Sequence, residues 1–335
     1  MPEALPPRYR LLQMGTGYWV SQAIYVAAKL KLADHVKAGV RKAEDLAAKT
    51  GSQPRPLYRL MRALASVEIF AEEADGGFAL TPLAELLVDE LGSMRAPAIM
   101  MGDEHYASWG QLEHSVRTGK PAFDHIYGKP IFQYLGEQPE QAKIFDAAMT
   151  GIHGPETPAM VDAYDFTGIQ TLVDVGGGNG TLLSALLRKY PAMKGILFDL
   201  PQVVERAAGV LRDQGVADRV RCVPGNFYET AASGGDAYMM RHILHDWTDE
   251  QCATILGHVR KAIPKAGRLL VIECVIQPGN APGWSKFLDL NMLVIPGGQE
   301  RTEAEFRTLF EKGGFRLEKI VPTRTEVSVL EARPV

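Results

Sequence analysis

Two textures of hydrophobic and polar patterning divide the chain. Over residues 168–335, short apolar runs alternate with stretches of helical spacing. The runs are Thr171–Val175, Gly195–Leu200, Arg219–Val223, Asp236–Met240, Arg268–Val275, Phe315–Ile320 and Glu326–Ala332. Between most of them lie Leu182–Tyr190, Val203–Asp213, Asp249–Ala262 and Glu303–Gly313, whose apolar positions recur at helical spacing. Strand–helix alternation of this kind predicts a mainly parallel, doubly wound sheet with helices on both faces. In the last run polar residues alternate with Val327, Val329 and Ala332, which predicts an edge strand. Residues 9–163 read instead as helices broken by Gly and Pro, with few β-branched runs, and the boundary falls near Asp165–Gly168.

In the first half, Met14–Val36 carries Trp19, Ala23, Val26, Ala27, Leu30 and Ala33 at helical spacing with little charge. Such a helix buries most of its circumference, in its own core or in a partner. Next come a helical stretch Lys42–Thr50, a Gly51–Pro56 turn, a second helix Leu57–Val67, and two strands around Asp75-Gly76-Gly77 up to Leu80; Thr81-Pro82-Leu83 starts another helix. Helix, turn, helix, hairpin describes a winged-helix unit. Across residues 41–75 six basic residues (Arg41, Lys42, Lys49, Arg55, Arg59, Arg62) offset six acids (Glu44, Asp45, Glu68, Glu72, Glu73, Asp75). A DNA reader carries a one-sided basic excess, so this unit is expected to dimerise or to scaffold.

Composition narrows the classes further. At 335 residues the chain exceeds the usual size of one hydrophobic core, so two domains are expected. A net charge of −4 supplies no broad basic field for nucleic acid. Cys222, Cys252 and Cys274 form no CxxC pair and read as reduced thiols of a cytoplasmic protein. Met1–Arg10 has no apolar core of signal-peptide type, and no run of ~18 uncharged apolar residues occurs, so no membrane partner is expected.

The candidate chemistry begins at Thr171–Gly180, where a hydrophobic strand enters a Gly-rich turn ahead of a helix. Glycines there permit positive φ and close approach of a ligand to the backbone. The turn lacks the Lys-Ser/Thr ending of a P-loop. Asp174, just ahead of the glycines, would repel a pyrophosphate and attract an ammonium or a sulfonium. Asp199 ends the next strand, where a carboxylate can accept both ribose hydroxyls of an adenosine; the competing reading is a helix cap before Pro201. These cues alone leave dinucleotide and S-adenosylmethionine binding undecided. The run Met240–Asp249 follows the fourth strand, and open α/β sheets bind ligands at strand carboxyl ends. His242 and His245 have no supporting Cys or His cluster, so no metal is expected. His242 reads as a histidine without chemistry.

The motifs Asp174–Gly180, Phe198–Pro201, Gly225–Tyr228, Arg241–Trp247 and Gly297–Thr302 occur in an order that resembles the caffeic acid O-methyltransferase-like family of S-adenosylmethionine-dependent enzymes, which act on small molecules in plants and bacteria. The resemblance covers nearly the whole chain. It implies an α/β fold, a Rossmann-like class I methyltransferase doubly wound sheet with an N-terminal, otherwise all-helical winged-helix dimerisation domain. The domains it implies are 1–100 for dimerisation, 101–165 as a helical linker contributing to the substrate pocket, and 166–335 for S-adenosylmethionine binding and catalysis. It further implies a homodimer through the first helix.

What the resemblance implies for single residues is specific. Gly176, with Asp174 nearby, would contact the methionine portion of the cofactor. Asp199 and Leu200 would meet the ribose and its surroundings. Gly225, Asn226 and Phe227 would flank the adenine, with Asn226 where the family usually has Asp. Arg241 would lie close to the cofactor. His245 aligns with the catalytic base, and Glu273 and Glu300 with the two carboxylates beside it. Asp246 competes for that orienting role, its other reading being a helix cap. Trp109, Phe123, Phe132, Met149, His153, Asp289 and Met292 are the acceptor-pocket candidates from both domains. Their apolar character fits a flat aromatic acceptor.

The chemistry suits those roles. A sulfonium methyl is already activated, so transfer to oxygen needs position more than acid assistance. A phenol with a pKa near ~10 stays protonated at neutral pH, and a histidine near ~6.5 can take its proton as the C–O bond forms. The alternatives are a relative that binds S-adenosylmethionine for other chemistry, such as hydroxylation or decarboxylation, and a regulator that binds DNA through the winged helix.

Overall fold

A computed structural model describes residues 5–335 of the protein. Residues 1–4, part of the stretch expected to lack a signal peptide and of the 1–100 range, lie outside the described residues. The chain divides into two compact units. One comprises residues 5–112 with Phe123–Gly154, the other residues 113–122 with Pro155–Val335. Residues 101–165, read as a linker, are thus shared between the two units.

In the first unit the expected long helix is three, Pro7–Gly15, Gly17–Lys29 and Leu32–Lys37, broken at Thr16 and at Lys31, which takes a left-handed φ of 52°. Helices Ala43–Thr50 and Pro54–Ala65 follow, then strands β1 (Phe70–Glu72) and β2 (Phe78–Leu80), paired antiparallel with Phe70 opposite Leu80. Asp75 closes the hairpin by accepting from the Gly77 amide at 2.8 Å. Leu32, Leu46, Leu57, Met61, Phe70 and Phe78 form the core of this winged-helix arrangement. Ala27 of the second helix joins this core, but the first helix and the start of the second leave large apolar side chains outside it: Leu11 is 73% and Trp19 63% exposed.

The second unit is built on one mixed sheet. Its strands are β3 (Thr171–Val175), β4 (Lys194–Asp199), β5 (Val220–Pro224), β6 (Ala237–Arg241), β7 (Arg268–Ile276), β9 (Phe315–Pro322) and β10 (Val327–Pro334); β8 (Arg301–Thr302) adds to the end of β7. Their order is β5-β4-β3-β6-β7-β10-β9, with β3 to β7 parallel to one another and β10 antiparallel to β7 and β9. Each face is covered, one by a cluster including Leu172, Leu183, Leu186 and Leu270, the other by one including Val173, Phe198, Tyr238 and Phe310. Each such Leu or Phe stabilises the fold by ~1.5–3 kcal/mol. Thr248 and Thr302 begin helices Asp249–Ala262 and Glu303–Lys312 with complete capping boxes.

Two expectations are corrected. The last strand is not an edge, because β10 pairs on both sides and β9 closes the sheet. Its polar residue Glu331 is 5% exposed and is satisfied by the Tyr164 hydroxyl at 2.6 Å and by Lys319 at 3.2 Å, so polarity there does not report solvent. Asp246 caps no helix; it sits in a short 3₁₀ turn, Leu244–Asp246, and Thr248 holds the cap position.

Chain order reverses between β3 and β6, so the loops after these neighbouring strands open a crevice at their carboxyl ends.

Candidate active site

The loop after β3 is Gly176–Gly180, in which Gly176, Gly178 and Gly180 all take positive φ, between 58° and 78°. Gly176 cannot be replaced without cost, since a Cβ there would overlap the side chain of Ile243. That contact brings the turn after β6 onto the glycine loop, two residues ahead of His245.

Asp174 lies at the base of this loop, 2% exposed, with Oδ2 making no hydrogen bond. Burial pushes its carboxyl up to about 7, Asp199 adds to the effect and Arg241 opposes it. Asp199 Oδ2 accepts from the Gly178 amide at 2.9 Å and Oδ1 from the Leu200 amide at 2.7 Å. It does not cap the helix that begins at Pro201. Each carboxylate oxygen has a second lone pair, so two hydroxyls can still be received. Leu200 is 39% exposed. Gly225 lies against Phe198, whose ring a Cβ would strike. Phe227 packs edge-on to Trp247 with centroids 6.0 Å apart. Asn226 spends its carbonyl on the Tyr228 amide at 2.9 Å and its amide on Glu229 at 3.3 Å. Arg241 donates to the Thr157 hydroxyl at 3.0 Å.

His245 is 8% exposed and stands among three carboxylates. Its Nδ1 lies 2.7 Å from Glu300 Oε1 and 3.5 Å from Glu273 Oε2, and its Nε2 is 3.6 Å from Asp246 Oδ1. A proton on Nδ1 donated to Glu300 leaves Nε2 as the basic nitrogen. Burial disfavours charge on the ring, but Glu273, Asp246 and Glu300 outweigh it and push the imidazole up to about 10. Burial likewise raises Glu273 to about 7 and Asp246 to about 6, His245 pulling against it in both. Glu273 Oε1 also accepts from the amides of Ile243 at 3.1 Å and Leu244 at 2.9 Å. Glu300 is placed by its own amide, which donates to Asp289 Oδ1 at 2.9 Å.

His242, read from sequence as inert, lies 5.0 Å from the His245 ring centroid to centroid and pairs with Glu156 at 2.9 Å. His242, His245 and Glu273 offer ligand atoms within 4.8 Å of one another. Nδ1 of His245 and Nε2 of His242 are nevertheless engaged by Glu300 and Glu156.

The acceptor candidates divide between the units. Asp289 and the buried Met292 sit on helix Ser285–Val294 of the second, a helix absent from the sequence reading. The first unit holds Trp109, Phe123, Phe132, Met149 and His153. Phe123 is fully buried and lines a cavity of about 20 Å³ with Met100, His105, Tyr134 and Phe145. That is room for a single water. Phe132 is 46% exposed and meets Phe145 edge-on. His105, which no sequence motif marks, is buried, and desolvation lowers its imidazole to about 4.

Residues 109–316 match the O-methyltransferase domain family, and residues 12–90 match its dimerisation domain. The chain belongs to the O-methyltransferase family. It is 45% identical over 333 residues to the phenazine O-methyltransferase of Lysobacter antibioticus, spanning 99% of this chain and 98% of that one. The structure of mitomycin 7-O-methyltransferase superposes with a TM-score of 0.92 at 37% identity, covering 98% of each chain. Human N-acetylserotonin methyltransferase, solved with S-adenosylmethionine, superposes with a TM-score of 0.90 at 25% identity, covering 100% of this chain and 99% of that one. This O-methyltransferase is therefore a class I, S-adenosylmethionine-dependent enzyme with a winged-helix dimerisation domain. The site fits the cofactor on its own terms: an orphaned, buried carboxylate oxygen of Asp174 lies at the base of a glycine loop whose Gly178 borders open space.

Proposed function

We propose that this enzyme methylates a phenolic hydroxyl of a flat aromatic metabolite of phenazine or polyketide type, with His245 as general base. The observation that carries the reading is the buried imidazole of His245, bonded through Nδ1 to Glu300, on a turn packed against the glycine loop. S-adenosylmethionine supplies the activated methyl group. Asp174 and Gly176 receive its amino-acid end, Asp199 its ribose hydroxyls, and Leu200, Gly225, Asn226 and Phe227 its adenine surroundings, with Arg241 alongside. Nε2 of His245 takes the hydroxyl proton as the oxygen attacks, and Glu300 and Glu273 stabilise the imidazolium so formed. Asp289 and Met292 are our acceptor contacts in the second unit, and Trp109, Phe123, Phe132, Met149 and His153 those in the first. Residues 1–100 serve dimerisation, 101–165 acceptor binding and 166–335 catalysis. Three free cysteines, two of them buried, fit a cytoplasmic enzyme, and among the described residues no helix is long and apolar enough to cross a membrane. The balanced charge of residues 41–75 supports no nucleic-acid partner. Labelled S-adenosylmethionine incubated with a panel of phenols, phenazinols and hydroxynaphthoates is expected to yield O-methyl products; cofactor binding with no methylated product from any of them would overturn the reading.

The carboxylates around His245 set a pH dependence. Its pKa is raised, so the ligand-free enzyme holds this proton at neutral pH, and activity needing the free imidazole rises as pH climbs through the raised value. A bound sulfonium disfavours a second positive charge nearby. The acid limb of kcat at saturating cofactor is therefore expected at lower pH than that of kcat/KM for the cofactor. Coincident limbs would show that the bound cation does not reach His245.

The exposed apolar residues of the first two helices lead to a second expectation. Light scattering should give twice the 36.7 kDa mass of the chain at micromolar concentration. Trp19→Glu places a charge on that apolar face and should yield monomer. A wild-type monomer would remove the dimer from the proposal.

A further inference from the structure

Arg301 is the bulkiest fully buried side chain among the described residues, 1% exposed, and the chemistry above leaves it without a task. A buried guanidinium is tolerated only when its N–H groups find acceptors. Those of Arg301 do. Nη1 donates to the carbonyls of Leu244 at 3.0 Å and Gln299 at 3.2 Å, and Nη2 to the carbonyl of Trp247 at 3.0 Å and to Cys252 Sγ at 3.6 Å. Nε donates to Asp249 Oδ1 at 3.0 Å, and the same carboxylate oxygen is 2.9 Å from Nη2, supplying the counter-charge.

These acceptors belong to the two segments that carry the reactive pair. Leu244 and Trp247 bracket His245, and Gln299 precedes Glu300. The 244–246 turn is one short 3₁₀ element, whose own bonds run from the Asp246 amide to the Ile243 carbonyl at 3.2 Å and from the Trp247 amide to the Leu244 carbonyl at 3.3 Å. Most of its anchoring comes from outside. Glu273 accepts from the amides of Ile243 and Leu244, Arg301 donates to the carbonyls of Leu244 and Trp247, and the Gln299 amide donates to the carbonyl of His245 at 2.8 Å. The last bond requires Gly298, since a Cβ there would overlap the same carbonyl.

We propose that Arg301 is a positioning residue for methyl transfer: its forked guanidinium locks the His245 turn to the Glu300 loop, so that Nδ1 meets Glu300 and Nε2 is presented to the acceptor. This rests on His245 being the base. A lysine ammonium keeps the charge beside Asp249 but cannot serve carbonyls of both segments in one plane. A small misplacement of a reacting group can cost up to ~10²-fold in rate.

The test measures kcat, acceptor KM, S-adenosylhomocysteine affinity, melting temperature and the kcat–pH profile for Arg301→Lys and Asp249→Asn. Each is made in wild-type and His245→Ala backgrounds, the latter followed by long incubation with labelled cofactor. Arg301→Lys is expected to lower kcat ~10–100-fold, leaving KM and ligand affinity within about threefold. The acid limb should move down, because the imidazole loses its fixed carboxylate neighbours. In the His245→Ala background the same substitution should cost nothing further, as expected of a residue acting through that histidine. If Arg301→Lys does not melt cooperatively, Asp249→Asn carries the test, with a severalfold kcat loss at unchanged KM and, again, no further loss without His245. Wild-type kcat in the folded variant, an undiminished loss on top of His245→Ala, or a parallel fall of kcat, ligand affinity and melting temperature would each overturn the role. Unchanged turnover in His245→Ala alone would instead overturn the base assignment, and the positioning role with it; a dead His245→Ala beside an unaffected Arg301→Lys overturns only the latter.

Discussion

Replacing His245 with alanine is expected to lower turnover ~10²–10⁴-fold, the usual contribution of a positioned general base, while S-adenosylhomocysteine affinity stays within about threefold. The split follows from where the residue sits. Its ring is engaged by Glu300 and Glu273, and it is Ile243, two residues earlier, that packs on the glycine loop, so truncating the imidazole removes the proton acceptor and leaves the nucleoside cleft walled as before. Loss of the ring also leaves Glu300 and Glu273 buried without their cation, and a drop in melting temperature should accompany the variant. Glu300→Gln keeps the shape and removes one charge, so its effect on turnover should be smaller and its acid limb should shift down. Single-turnover assays with labelled cofactor give the rate, and calorimetric titration with S-adenosylhomocysteine gives the affinity. An alanine variant turning over at the wild-type rate would exclude His245 as the base.

The second large effect belongs to Asp199. Asp199→Ala should weaken S-adenosylhomocysteine binding ~10²-fold or more, because each charge-assisted bond to a ribose hydroxyl contributes ~1.5–3 kcal/mol. The carboxylate has a structural task as well, accepting from the amides of Gly178 and Leu200, so alanine also loosens the glycine loop. Asp199→Asn separates the two contributions. An amide oxygen still accepts one of those bonds, and a folded variant with intact melting but weakened ligand binding isolates the lost charge. At saturating cofactor, turnover in either variant should recover to a far greater extent than in His245→Ala. Unaltered ligand affinity in Asp199→Ala would show that the ribose is held elsewhere.

Both experiments probe a site richer in buried acid than in base. Asp174, Asp199, Glu273, Glu300 and Asp246 stand around Arg241, Arg301 and His245, and burial raises Asp174, Asp199, Glu273 and Asp246. Such a set is costly to desolvate unless a cation enters it. A dinucleotide, which brings a pyrophosphate, would make that imbalance worse, and S-adenosylmethionine, which brings a sulfonium and an ammonium, relieves it. Charge thus decides between ligands that the Gly-rich turn and the Asp199 spacing leave equivalent.

The alternation of strands and helices in the second half is legible in the chain alone, because apolar runs of five to nine residues and helical stretches between them have different periods. Predicted and observed boundaries of these elements differ by at most two residues, and Thr171–Val175 and Asp249–Ala262 coincide. The glycine loop, the carboxylate ending β4 and the histidine after β6 are legible in the same way, since each is defined by local spacing. Other features depended on contacts between distant segments and were illegible. The antiparallel insertion of β10 between β7 and β9 is one; Glu331 reads as an exposed polar residue until Tyr164 and Lys319 arrive to satisfy it. The breaks at Thr16 and Lys31 and the helix Ser285–Val294 are others. So is the role of Arg301, which lies unremarked in the Gly297–Thr302 motif and becomes a buried clamp only when the loops after β6 and before β8 close on it. Local periodicity records how a segment meets its own neighbours, whereas the partners of a buried charge come from segments tens of residues away, and only the folded chain brings them together.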